Sequence, residues 1–194
     1  MPGTRDCLPG LLIVAITGSA TFPGIAAPKA AQADKPPEVA TRGQREAKDI
    51  SYGDWQKICF KAGGAPKLCR TSITGKFPTG QMAVRVDLIE RDGTSTARLQ
   101  LFVPVGMYLQ HPAKLTVDQG NSFHVPYTWC LTNACIAADV APARIIKDME
   151  SGKTLVLELV DSNLLALTTS VPLTQFAPVH NGPPARTLEQ YVDE

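Results

Sequence analysis

The chain has 194 residues, a formal net charge of +1, 44% hydrophobic residues and 19% charged residues. This length suits one ordinary domain with appendages, and the 15 glycines and 16 prolines favour many turns over long helices. Residues 1–33 hold two of the 19 basic and one of the 18 acidic residues, which leaves 17 of each in the remainder. Nucleic-acid binders usually carry excess basic charge to neutralise phosphates, so this balance argues against a nucleic-acid partner.

Residues 1–33 are predicted to be a secretory signal peptide. The apolar run LPGLLIVAITGSA is followed by small residues that end in an A-x-A cleavage pattern. This pattern predicts cleavage between Ala33 and Asp34, with an earlier alternative after Ala27. A membrane anchor is the competing interpretation, but polar residues interrupt the run before it reaches the roughly 18 apolar residues that a spanning helix needs. We therefore expect no transmembrane segment after the signal peptide is removed.

Four cysteines follow the predicted signal peptide, and disulfides persist in exported proteins. We predict the local pairs Cys59 with Cys69 and Cys130 with Cys135, because each pair flanks a turn-like segment. A four-thiolate zinc site is the alternative, but the nine-residue gap in the first pair does not suit a zinc knuckle. Neither spacing is the C-x-x-C pattern of redox-active cysteines.

The segments after the signal peptide differ in character along the chain. Residues 34–49 are polar and charged and are predicted to be a flexible linker. Alternating residues predict two strands in QMAVRVDLIE and TARLQLFV, and the Asp92-Gly93 pair between them predicts a hairpin. Further strands are predicted in KLTVD, SFHVPYTW, KTLVLELV and LALTTSV. One helix is predicted in VAPARIIKDMESG, with Pro142 near its start and Gly152 after its end.

The resulting fold class is mainly β. We predict a single antiparallel β-sandwich or barrel-like domain over residues 50–180, with one short helix and two local disulfides. Residues 181–194 are predicted to be a C-terminal tail. Trp55 and Trp129 lie near the cysteines in the sequence and are predicted to be structural, although an exposed indole ring can also be a platform on which a ligand stacks.

Several segments together resemble a known family. They are GDWQKIC, the Cys69-Arg70 pair, VPVGMYLQHPAKLTVD, VPYTWCLTNACIAADV and VPLTQF, and in this order they resemble the invasion-associated locus B family of exported bacterial proteins. The resemblance covers residues 52–179. It implies export and, in some pathogens, an association with entry into host cells, without an established biochemical activity. Family members often have glycine before the phenylalanine of the last motif, where this chain has Gln175.

No catalytic or metal-binding motif is evident. His111 precedes a proline in a predicted turn, His124 lies in a strand pattern and His180 lies beside an Asn-Gly turn, and no histidine spacing typical of a metal site occurs. We expect each histidine to be solvated or to form a single hydrogen bond. A hydrolase could combine Ser122, His124 and Asp118, but no nucleophile motif supports it.

Two hypotheses about function follow. The first is a non-enzymatic, exported β-domain without a cofactor, which binds a protein or cell-envelope partner through an exposed edge strand or loop. Its compartment would be periplasmic, outer-membrane-associated or secreted. The alternative is a periplasmic enzyme or metal-binding protein that acts through His111, His124 or His180.

Overall fold

The computed structural model describes residues 40–190. The predicted signal peptide, its cleavage site between Ala33 and Asp34 and the first part of the predicted linker lie outside the described residues. Within residues 40–190, neither helix is long or apolar enough to cross a membrane.

Thirteen strands and two helices form from the described residues. In chain order they are β1 (Gly43–Glu46), β2 (Ser51–Tyr52), β3 (Gln56–Ala62), β4 (Leu68–Lys76), β5 (Met82–Arg91), β6 (Ala97–Val103), β7 (Ala113–Val117), β8 (Ser122–Val125), β9 (Tyr127–Cys130), β10 (Cys135–Ala141), α1 (Ala143–Ser151), β11 (Thr154–Val160), β12 (Leu165–Pro172), α2 (Phe176–Asn181) and β13 (Arg186–Gln190). The protein is mainly β, as the sequence predicted.

The strands form two sheets. The five-stranded sheet has the order β1-β12-β11-β7-β8, and the eight-stranded sheet has the order β13-β3-β4-β5-β6-β10-β9 with β2 paired to β4. Neighbouring strands are antiparallel except at two edges, where β1 is parallel to β12 and β13 is parallel to β3. One of the passages from the smaller to the larger sheet, between β8 and β9, occurs at Pro126, which has no N–H to donate to either ladder.

One hydrophobic core joins the two sheets. The alternating residues of β5 and β6 supply Leu88, Leu99 and Leu101, and β7 and β11 supply Leu115 and Leu157, all fully buried. Burying each leucine contributes on the order of 1.5–3 kcal/mol relative to leaving it exposed. The alternation of apolar and polar residues that predicted β5 and β6 therefore corresponds to side chains that point alternately into and away from the core.

The predicted hairpin, helix and disulfides are confirmed. β5 and β6 pair as antiparallel neighbours, and Gly93 has a positive φ of 78° in their connection. Helix α1 begins after Pro142, which is its N-cap residue, and ends before Gly152. Both disulfides join residues that face each other directly on antiparallel strands: Cys59 with Cys69 on β3 and β4, and Cys130 with Cys135 on β9 and β10.

The structure differs from the sequence prediction at both ends and in one helix. Residues 43–46 of the predicted linker form β1, and residues 186–190 of the predicted tail form β13. Both are edge strands with mostly exposed side chains, so they lack the alternation that marks a strand with one buried face. The second helix, α2, was also not predicted, and the two parallel edges make both sheets mixed rather than purely antiparallel.

Candidate functional site

The eight-stranded sheet has one face in the core and one face directed away from it. Along β5, for example, Val84, Val86 and Leu88 enter the core while Arg85 lies on the opposite face. We call that opposite face the outward face. From edge to edge its residues are Arg186, Leu188, Gln56, Ile58, Phe60, Leu68, Arg70, Ser72, Thr74, Arg85, Asp87, Ile89, Arg91, Arg98, Gln100, Phe102, Ile136, Ala138, Val140 and Trp129.

The outward face is strongly basic. It carries five arginines and a single carboxylate, Asp87, although residues 34–194 taken together hold 17 basic and 17 acidic residues. Four of the arginines lie on the consecutive strands β4, β5 and β6, and Arg186 lies on β13. The total charge of the chain does not show that they share a face. Each one occupies an alternating position of its strand, which is the sequence signal that could have placed it opposite the core.

Six residues of this face lie in one line across the strands. Directly paired positions on β13, β3, β4, β5, β6 and β10 place arginine and aliphatic side chains alternately. We call this line the arginine row, and its members in order are Arg186, Ile58, Arg70, Ile89, Arg98 and Val140. Because adjacent strands lie about 4.8 Å apart, successive arginines of the row recur at roughly 10 Å.

The arginines of the row form no short ion pair within the described residues, although Arg70 lies close enough to Asp87 to lower the pKa of that carboxyl. Arg70, Arg98 and Arg186 form no ion pair with any carboxylate in the described part of the chain. Arg98 and Arg186 are exposed. Arg70 is half-buried, with its guanidinium carbon 5.7 Å from the centre of the Phe60 ring, and its Nε is buried without a hydrogen-bond partner. A buried donor without an acceptor is costly, which marks this position as incomplete.

The charge of Arg85, which is not part of the arginine row, is neutralised within the protein. Arg85 lies over the ring of Phe102 at 3.8 Å and donates two hydrogen bonds to Asp87 Oδ2, at 2.9 and 3.1 Å. Asp87 is only 1% exposed, and its Oδ1 has no hydrogen-bond partner among the described residues. Burial raises the pKa of Asp87, and the neighbouring Arg85 opposes that rise. Arg70 also lowers the pKa of Asp87, but it forms no ion pair with it, so the exposed positive charge of the face lies mainly on Arg91, Arg98 and Arg186.

Polar and apolar surface borders these arginines. A groove of about 390 Å³ opens beside the face, where Gln56, Ser72 and Thr74 contribute to its wall. At the other end, the ring of Trp129 is 50% exposed. The indole therefore does not have the buried structural position of Trp55, and the stacking alternative remains a prediction for Trp129.

Trp55 and Gln175 join the two ends of the domain. The indole N–H of Trp55 donates to the carbonyl of Pro172 at 2.7 Å, and its ring meets Phe176 edge to face at 4.9 Å. Gln175 accepts a hydrogen bond from the backbone N–H of Trp55 at 3.1 Å and donates to Asp54 at 2.9 Å. The φ of Gln175 is −96°, so no glycine is required at this turn. Trp55 is structural, and the side chain that departs from the family pattern supplies two of the contacts.

His180 has a different environment from the one expected. Instead of being solvated or singly bonded, its ring is 10% exposed and lies between two carboxylates, with Nδ1 3.0 Å from Glu150 and Nε2 3.0 Å from Glu90. The ring also stacks on Phe176 at 5.2 Å. Because each ring nitrogen contacts a different carboxylate, Glu150 and Glu90 lie on different sides of the imidazole ring. Among the described residues, no group of three or more His, Cys, Asp or Glu side chains is arranged to hold a metal ion.

The other predicted polar residues have separate partners. His111 Nδ1 lies 3.1 Å from the carbonyl oxygen of Pro112, and His124 is exposed on the edge strand β8. The hydroxyl of Ser122 lies 3.3 Å from that of Thr116, and Asp118 accepts backbone hydrogen bonds from Lys153 and Thr154. These hydrogen bonds do not join Ser122, His124 and Asp118 into a triad.

The pH dependence of the His180 contacts can be predicted. The hydrogen bond to Glu90 raises the pKa of His180 above its usual 6.5. The hydrogen bond from His180 lowers the pKa of Glu90 below its usual 4.5, and hydrogen bonds from Asn181 and then His180 lower that of Glu150. The imidazolium contributes stability below about pH 6.5 and loses it as pH rises through its raised pKa. The carboxylates contribute above about pH 4.5 and lose it as pH falls through their lowered pKa values.

We therefore expect His180→Gln to lower the free energy of unfolding most between about pH 4.5 and 6.5, by about 1 kcal/mol or more, and less at pH 9. Urea unfolding at several pH values measures this difference. His124→Gln, at an exposed position, is the control and should show no such window. A constant loss from pH 5 to pH 9 would contradict the role of the charged imidazole.

Comparison with known proteins identifies the family. The family model described as invasion associated locus B (IalB) protein matches residues 55–184. The chain belongs to the IalB family. A crystal structure of invasion associated protein B from Bartonella henselae has the same fold, with a TM-score of 0.60 and 22% identity over 68% of this chain and 90% of that chain. A comparison with curated proteins finds no match.

Most of the features described above lie within the residues that the IalB family model matches. The match includes Arg70 and Arg98, both disulfides and the contacts of Trp55 with the segment before α2. Arg186, on β13, lies just beyond the matched residues. The protein is thus an invasion-associated β-domain whose free arginines lie mostly within the family region.

Proposed function

We propose that this protein is an exported, non-enzymatic binding module whose outward face contacts a macromolecule. The observation that carries the proposal is the separation of charge: five arginines and one carboxylate share a single face, although residues 34–194 as a whole hold 17 basic and 17 acidic residues. Clefts or faces of one charge raise the rate of encounter with partners of the opposite charge. The contact lies on the face of the sheet, whereas the sequence hypothesis placed it at an edge strand or loop.

The proposed compartment follows from the covalent structure and the family. Two disulfides are typical of proteins in an oxidising compartment, and the IalB family and the predicted signal peptide agree with export. We propose that the protein works in the periplasm, at the outer membrane or outside the cell. The partner is then a component of the cell envelope or of the surroundings and carries negative charge.

Site-specific crosslinking in intact cells tests this function. A photoreactive amino acid at Val140, which is 53% exposed on the outward face, is expected to capture a macromolecular partner. The same group at Asn121, exposed in the turn between β7 and β8, is the matched control and should capture none. Equal capture at both positions, or capture at neither, would contradict a binding role for the outward face.

A further inference from the structure

We propose that the arginine row binds a linear acidic polysaccharide whose carboxylates recur on alternate sugars and whose chain runs across the strands. This inference rests on the proposed binding function and names its ligand class. From Arg186 to Arg98 the row crosses four strand intervals, about 19 Å in all. A polymer with acid groups at regular intervals can meet all three arginines at once, and the rigid sheet fixes their spacing.

The chemistry of the row suits carboxylates. Guanidinium groups bind carboxylates through two parallel hydrogen bonds, and Arg98, Arg186 and Arg70 form no ion pair within residues 40–190. At the centre of the row, Arg70 has a buried Nε without an acceptor. The structure thus has an unsatisfied basic position where the middle acid group of the polymer would lie.

The aliphatic members of the row suit the sugars between the acid groups. Ile58 and Ile89 lie between the arginines and are half-buried, so each offers a shallow apolar surface. Sugar rings have C–H faces that pack on such surfaces, and their hydroxyl groups remain in water. Alternation of guanidinium and aliphatic side chains therefore matches alternation of acidic and neutral sugars.

Other charged partners fit the row less well. An extended peptide gains its backbone hydrogen bonds along the edge of a sheet, parallel to the strands, whereas this row crosses them. Single-stranded nucleic acid stacks successive bases on open aromatic rings, and here Arg70 and Arg85 lie over the rings of Phe60 and Phe102, while the exposed Trp129 lies on β9, beyond the end of the row. A membrane surface requires a cluster of protruding apolar groups, whereas the exposed apolar side chains here lie near opposite edges of the sheet, Leu188 on β13 and Val140 and Trp129 on β10 and β9, and the central isoleucines are half-buried.

Binding of fluorescent hyaluronan, which has a carboxylate on every second sugar, tests the proposal with the purified, oxidised protein at low salt. We expect saturable binding that weakens as salt is added. Replacing two exposed arginines, Arg98→Gln with Arg186→Gln, should weaken it on the order of tenfold, since the loss of each exposed ion pair weakens binding by roughly threefold. Adding Arg70→Gln should weaken it further, and a thermal melt shows whether that variant folds.

The matched control removes the same charge elsewhere. Lys147→Gln with Lys153→Gln changes two exposed residues outside the outward face and should leave binding unchanged. Equal weakening by both double variants would overturn the proposal, because it would show attraction by net charge alone. Neutral dextran should not bind, and stronger binding of oligothymidine or anionic lipid vesicles than of hyaluronan would also overturn it.

The outcomes separate this inference from the proposed function. Failure to bind hyaluronan, together with capture of another partner through Val140 in cells, would contradict the polysaccharide ligand but support the binding function of the outward face. Failure of both experiments would overturn both. Hyaluronan binding that depends on Arg98 and Arg186 supports both.

Discussion

Replacing Phe176 by alanine is expected to lower the free energy of unfolding by about 3–5 kcal/mol, the usual range for a buried phenylalanine. The ring is fully buried and lies between the indole of Trp55 and the imidazole of His180. Its loss would leave a cavity and remove the support of both rings. Denaturant unfolding measures the change, and a shift of the melting temperature on the order of 10 °C should accompany it.

Phe77 provides the control for this prediction. It is half-buried in the turn between β4 and β5 and is not part of the hydrophobic core. Phe77→Ala should therefore cost much less than Phe176→Ala. Similar losses in the two variants would contradict a special contribution of the buried Phe176 ring to stability.

Removal of the disulfide between Cys59 and Cys69, by the double change Cys59→Ser with Cys69→Ser, is expected to cost about 2–3 kcal/mol. The bridge closes a loop with a sequence separation of 10. Because a cross-link lowers the entropy of the unfolded chain, a loop of this size stabilises the fold by somewhat less than the ~3 kcal/mol expected for 15 residues. Cys59 is also fully buried, so the serine hydroxyl adds a cost of its own. Thermal unfolding without reductant measures the difference.

The second bridge is the internal comparison. Cys130 and Cys135 have a sequence separation of 5, half that of the first pair, and chain entropy predicts a stabilisation smaller by about 0.6 kcal/mol. Cys130 is also exposed. We expect the serine variant of this pair to lose less stability than that of the first pair. An unchanged melting temperature after loss of the first bridge would contradict its structural role.

The sequence alone was sufficient where the determining forces are local. Alternation in β5 and β6 follows directly from burial of one face, and the glycine between them supplies the backbone conformation of the turn. Pro142 and Gly152 marked the ends of α1 because each acts within one turn of the helix. The disulfide pairing was predictable because both pairs are close in the sequence.

Edges and long-range contacts were not predictable in this way. β1 and β13 are strands because β12 and β3 offer unpaired backbone groups, and nothing in the side chains of GQRE indicates that partner. His180 acquires two carboxylates from residues 30 and 90 positions away in the chain. Neither distance leaves a local pattern, so an isolated histidine was expected to be solvated.

The sequence by itself determined the class of fold, the two disulfides, the family resemblance and the expectation of export, because each depends on local periodicity, short spacing or an ordered set of motifs. Only the tertiary structure decided where the charge lies. A balanced count of basic and acidic residues became a basic outward face, because the register of seven strands sorts side chains by face and not by position in the chain. The arginine row exists only in that register, since a shift of any strand by one residue would turn its members toward the core.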